Sequence, residues 1–139
     1  MTMPFLPLLI LAAAQPATAQ GCLDLKDGET EITLSGRLEA RIFAGPPYYE
    51  DIRRGDARER AYILTLDRSI CIDDGGEFAD PRQRFDRVHL YTGTDAIRPR
   101  LRAGLGRRVR VRGSGFAAQT GHHRAPLVVD VSEIRVEGR

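Results

Sequence analysis

Tryptophan is absent from the 139-residue chain, lysine occurs once, at Lys26, and cysteine only twice, at Cys22 and Cys71. Aromatic residues make up 6% of the chain, too few to supply the stacking platforms that single-stranded nucleic acid requires beside basic charge. Two cysteines without C-x-x-C spacing exclude zinc-ribbon and thioredoxin-type sites. No apolar stretch approaches the ~20 residues that span a bilayer. There is no H-E-x-x-H motif, and "GSG" at 113–115 lacks the G-x-S-x-G frame of a nucleophile elbow. No Ser-His-Asp or Cys-His arrangement stands out, internal repeats are missing, and nothing marks a second domain.

What is present begins with the first nineteen residues. Phe5 to Ala14 is an apolar run of about ten residues, ended by Gln15 and Pro16, with Ala17 and Ala19 at the −3 and −1 positions of a cleavage site. The expectation is a secretory signal peptide over residues 1–19 and a single mature domain over 20–139. That places the protein in the periplasm or outside the cell, with no transmembrane segment. Cys22 follows closely, but Ala19 stands where a lipobox carries an aliphatic residue, so lipidation is the weaker reading. In an oxidising compartment the two cysteines of a small domain pair, and a Cys22–Cys71 disulfide would stabilise the fold by ~4 kcal/mol on the chain-entropy model. The remaining about 120 residues suffice for one core.

The mature chain reads as strands. In "EITLSGRLEARIF" (31–43), Ile32, Leu34, Leu38, Ala40 and Ile42 alternate onto one face, and Gly36 sits on the inward row where a bend or bulge is expected. "AYILTLDRSICI" (61–72) is a second strand, with Tyr62, Leu64 and Leu66 on one row. "DRVHLYT" (86–92) is a third, with Val88 and Leu90 inward and His89 and Tyr91 outward. A helix is expected within 93–106, starting near Arg98 so that Pro99 falls in its first turn. "RRVRVRGSGF" (107–116) follows, with Val109 and Val111 inward and Arg108, Arg110 and Arg112 outward. "PLVVDVSEIRVE" (126–137) is the fifth strand. This order predicts an all-β fold with a small α contribution: a five-stranded OB-like barrel with one short helix between strands 3 and 4. A small β-sandwich is the alternative.

Three features bear on function. His122 and His123 stand in the polar loop "QTGHHRAP" (119–126). Neutral imidazole ligates zinc or copper, and both rings of an adjacent pair can serve one metal only from a loop. A metal site would also need a third ligand, such as a carboxylate. The stretch "GPPYYEDI" (45–52) displays Tyr48 and Tyr49 on a backbone stiffened by two prolines, a good contact surface. Residues 98–112 contain seven arginines and no acid, which suggests a positive face for an anionic polymer or acidic partner. "RGD" at 54–56 reads as a turn.

The stretches "CL" (22–23), "GPPYYEDIRRGD" (45–56), "LDRSICI" (66–72) and "GSGFAAQTGHHRAP" (113–126) together resemble a family of small exported bacterial proteins catalogued as a domain of unknown function. The resemblance implies export, pairing of Cys22 with Cys71 and an OB-like β fold, and it implies no enzyme activity. In that family a third histidine often follows the pair. Here the position is Arg124, which weakens a three-histidine metal site. Some members accompany modules resembling lysozyme inhibitors, which implies an inhibitor or immunity role by association.

The resulting expectation is a non-enzymatic binding module for a protein partner in the cell envelope, recognising it through loops 45–52 and 118–126. Tyr48 and Tyr49 would supply apolar contact area, Glu50 and Arg124 charged orientation, and His122 and His123 hydrogen bonds. A metal-binding protein or metal-dependent enzyme centred on His122 and His123 is the competing class, and anionic-polymer binding by the arginine-rich strand is the third.

Overall fold

The computed structural model describes residues 21–28 and 30–138. The expected signal peptide over 1–19 lies outside the described residues. In chain order the elements are β1 (Leu23–Asp24), β2 (Glu31–Ala44), a 3-10 turn (Ile52–Arg54), β3 (Arg58–Ile70), β4 (Ile72–Asp73), β5 (Phe85–Tyr91), α1 (Arg98–Ala103), β6 (Arg108–Ala117) and β7 (Leu127–Val136). The chain is mostly β. Five long strands form one sheet in the order β2-β3-β5-β7-β6, and the ladder from β6 back to β2 closes it. All pairings in this ring are antiparallel except β5 with β7. No described helix is long and apolar enough to cross a membrane.

β2 makes the closure because its first half pairs with β6 and its second half with β3. The two ladders overlap at Gly36 and Arg37, and Gly36 faces both Leu66 and Val109. A Cβ there would lie 2.2 Å from the Thr65 carbonyl oxygen, so only glycine lets the backbones approach this closely. A second irregularity, between Arg112 and Gly113, shifts the register of β6 on β7.

Alternation puts Leu38, Leu64, Val88, Leu90, Val109, Val111, Leu127 and Val129 inside, all buried. α1 adds Leu101 and is preceded by Ile97, both in the same core cluster, and Pro99 occupies its first turn as expected. Cys22 and Cys71 form a disulfide, and the Leu23 and Leu25 amides donate to the Cys71 and Asp73 carbonyls. The 22–25 segment is thereby sewn to β4, with Leu25 buried in the core.

Two expectations need correction. Ile42 was expected inward but is 47% exposed, because β2 runs on beyond the core toward the 45–57 loop. The second strand does not continue to 72: β3 stops at Ile70, and Ile72–Asp73 turns away to pair in parallel with β1.

Replacing Gly36 with alanine should lower stability by about 1–3 kcal/mol, since the added methyl can be accommodated only by moving β3 away. Urea denaturation of Gly36→Ala beside Gly21→Ala, where nothing lies within 4 Å of the added carbon, checks this. The second variant should match the parent.

Candidate functional site

The outer face of the sheet is not uniformly polar. Ile63, His89, Val128 and Phe116 form one cross-strand row, on β3, β5, β7 and β6. Ile63 and Val128 are buried there, as is Ala61 beside them, although all three stand apart from the main core cluster. The 118–126 loop provides their cover. Its Ala118 amide donates to the Pro126 carbonyl across the loop's base, and the Arg124 amide donates to His89 Nδ1 at 3.1 Å.

The 45–57 loop is shaped by Asp56, the only buried charged residue among those described. Its carboxylate accepts the amides of Asp51 (2.9 Å), Glu50 (2.8 Å) and Tyr48 (3.0 Å). These three bonds favour the ionised form and hold the Asp56 carboxyl below its usual value, against the opposing effect of burial. Gly55, with φ of 104°, closes the 3-10 turn, so "RGD" is a turn as read, but its aspartate organises the whole loop. Within it Tyr49 adopts a φ of 60°, which a non-glycine residue keeps only when its surroundings impose it. Its ring lies directly over Gly121, where a Cβ would come within 3.0 Å of the aromatic carbons.

Glu59, at the start of β3, joins the two loops. Its Oε1 is 2.7 Å from His122 Nδ1 and its Oε2 is 2.5 Å from Arg124 Nη2. Burial pushes the Glu59 carboxyl up, but the bonds from Arg124 and His122 outweigh it and bring it below the ordinary value. On its other side His122 Nε2 lies 3.0 Å from the Tyr49 hydroxyl, with the two rings edge to face. In the neutral imidazole the carboxylate fixes the proton on Nδ1, so Nε2 accepts from the phenol. Arg124, its side chain only 9% exposed, sits with its guanidinium 5.2 Å from the Phe43 ring centroid and 5.5 Å from that of Tyr49. Its Nε is buried without a hydrogen-bond partner. The aromatic rings supply the cation with electrostatic contact there instead.

Of the residues singled out by sequence, Tyr49, His122 and Arg124 come together. Tyr48 is 75% exposed beside them. Glu50 is exposed, and its backbone amide donates to Asp56. His123 turns elsewhere: its Nδ1 accepts from the Gln119 and Thr120 amides, and its ring meets Phe116, which in turn meets Tyr91. The two imidazoles therefore do not converge, and among the described residues no group of three or more His, Cys, Asp or Glu is placed to hold a metal ion.

The arginine face also differs from expectation. Arg108 is held by Asp67 and Glu137, and Arg112 by Glu31 at 2.7 Å and Glu133 at 3.8 Å. Two of the three outward arginines of that strand are thus neutralised by carboxylates distant in sequence. The acidic stretch at 73–80 is likewise occupied internally, Asp74 accepting the amides of Gly76, Glu77, Phe78 and Ala79.

Four members of the site were not foreseen: Phe43, Asp56, Glu59 and His89. A signal for the covered face existed in "AYILTL" and "PLVV", where Ile63 and Val128 make both faces of a strand apolar. Nothing local marked Glu59.

The chain matches the model of a family described as a domain of unknown function (DUF4431) over residues 87–135. That span holds β5 to β7 with the 118–126 loop, and leaves out Tyr49, Asp56 and Glu59. No curated protein matches the chain.

Two outcomes follow from the geometry. His89 is pushed down to about 4, chiefly by burial and then by His123 and Arg124, with Glu59 opposing. The folded state thus resists a proton that the unfolded chain takes up below about 6.5. The His89 contribution to stability should therefore be lost as pH drops from about 6.5 toward 4, adding to the slope there but not below. Urea midpoints measured through this window for the parent and for His89→Gln should show a flatter slope in the variant. Second, Glu59→Gln removes the carboxylate that holds both Arg124 and His122. Amide hydrogen exchange over 119–124 should accelerate on the order of tenfold, while Tyr49→Phe, which loses one hydrogen bond, changes it less.

Proposed function

We propose that this protein is an extracytoplasmic, non-enzymatic binding module that recognises a protein partner through loops 45–52 and 118–126. An inhibitor or immunity-type protein is its most concrete form. The scaffold is read as an OB-like barrel: strand order β2-β3-β5-β7-β6 with the single helix between its third and fourth long strands supports that assignment. In such barrels the loops joining strands 1–2 and 4–5 flank the ligand face, and these are the 45–57 and 118–126 loops here. The disulfide is consistent with a compartment outside the cytoplasm.

The observation that carries the reading is the Tyr49–His122–Glu59–Arg124 network, which locks two loops far apart in sequence into one surface. Asp56 fixes the backbone of one loop and the His123 Nδ1 bonds fix the other. Loops ordered before binding lose little entropy on binding, which is where rigid contact surfaces gain affinity. Tyr48 projects from this surface as a large amphipathic group of the kind that dominates interfaces.

Chemical crosslinking in envelope extract, with the parent and a Tyr48→Ala/Glu50→Ala double variant, tests it. Glu50 is included because it stands exposed on the same surface. A specific crosslinked partner should be captured by the parent and lost in the variant, with the melting temperature unchanged. A partner kept by that variant but lost in Arg110→Glu/Arg135→Glu would move recognition to the arginine-bearing strands and overturn the loop assignment.

A further inference from the structure

The arginine-rich segment is split by the fold into two populations. Arg108 and Arg112 have carboxylates of their own, whereas Arg98 and Arg102, one turn apart on α1, open onto a hollow of about 270 Å³. Its other walls are Tyr62, Tyr91, Thr92 and Leu101. Arg60 lies over the Tyr62 ring, 5.6 Å from its centroid. No carboxylate lines the hollow. The nearest acids are committed or set aside: Asp95 pairs loosely with Arg98 at 3.6 Å and is almost fully exposed, and Asp130 accepts from the Gly93 amide. Arg102 has no ion-pair partner among the described residues. The Thr92 hydroxyl is taken, donating to the Val131 carbonyl and accepting from the Thr94 amide. Tyr91 remains 40% exposed.

Two tyrosines, a leucine and two guanidiniums, one loosely paired with an exposed carboxylate and one without an ion-pair partner among the described residues, define a ligand chemistry in one concavity. The apolar walls take a ring or carbon skeleton, the arginines take an anionic group through charge-assisted bonds, and the phenols offer hydrogen bonds to hydroxyls. The volume falls just short of the ~300–1,000 Å³ of drug-sized ligand sites, which suits one sugar ring rather than a larger ligand. We propose that this hollow between β3, β5 and α1 is a binding site for a monosaccharide-sized ring bearing one anionic group, a uronate or a sugar phosphate. The C–H face of the sugar packs on the tyrosines while Arg98 and Arg102 hold the carboxylate or phosphate. The site is independent of the loop surface assigned above.

The test is a heteronuclear NMR titration of the purified protein with glucuronate and with glucose 6-phosphate, beside glucose and inorganic phosphate. Saturable shifts of the Tyr62, Tyr91, Thr92, Arg98 and Arg102 amides are expected with an acidic sugar and not with either control. Response to only one of the two acids supports the site and identifies its anion. In Arg98→Ala/Arg102→Ala, both exposed positions that leave the core intact, affinity should fall about tenfold or more. Arg110→Ala/Arg135→Ala should bind as the parent does. Equal shifts with inorganic phosphate, shifts centred elsewhere, unchanged affinity in the Arg98/Arg102 variant, or no saturable shift up to ~10 mM each overturn the proposal.

Discussion

β2 has to satisfy two neighbours that lie on different sides of the ring, and everything else in the molecule is arranged around how it does so. At Gly36 the strand is hydrogen-bonded into both ladders, with the Thr65 carbonyl occupying the space of a side chain. Without that approach the sheet would stay open, with unpaired edges on β6 and the first half of β2. Closure brings the inward rows of all five strands onto a single core, and α1 covers it with Leu101. The strand's overshoot beyond the core carries Phe43 out to where the two loops meet.

There, one carboxylate orders a surface by holding two side chains of different character. Arg124 is permanently charged, nearly buried and faced by two aromatic rings; His122 carries a hydrogen bond in each direction and relays the carboxylate's hold to Tyr49. Each link alone is modest. Together they connect β3, the 45–57 loop and the 118–126 loop, so that loosening one member loosens the others. The positive φ of Tyr49 persists inside this arrangement because the phenol and the ring are both held.

The periodic parts of the fold were readable because their cause is local. Val88 with Leu90 and Val109 with Val111 alternate as strands require, Pro99 marks a helix start, and Cys22 had only Cys71 to pair with. Loops 45–52 and 118–126 were recognisable from tyrosines, prolines and histidines. Their meeting at Tyr49, His122 and Arg124 depends on register, Phe43 opposite Glu59 and Ile63 opposite His89, which no short stretch encodes. The same limit hid the neutralisation of Arg108, whose partners Asp67 and Glu137 lie on other strands. Glu59 looked like one more charge in a charged segment. Only its position two residues before the covered Ala61 makes it central.

The ring of ladders also has a consequence in time. β2 meets β6 only after most of the chain is available, and β5 pairs in parallel with β7 across the intervening helix and strand. Such non-local pairings repay their loop-closure entropy late, and domains built from them fold on the order of milliseconds to seconds. Until β7 arrives, the β5 and β6 edges stand open to strands from other chains. This places the protein's vulnerability to aggregation in the interval before its last strand docks, and makes β7, rather than the loops, the element on which productive maturation turns.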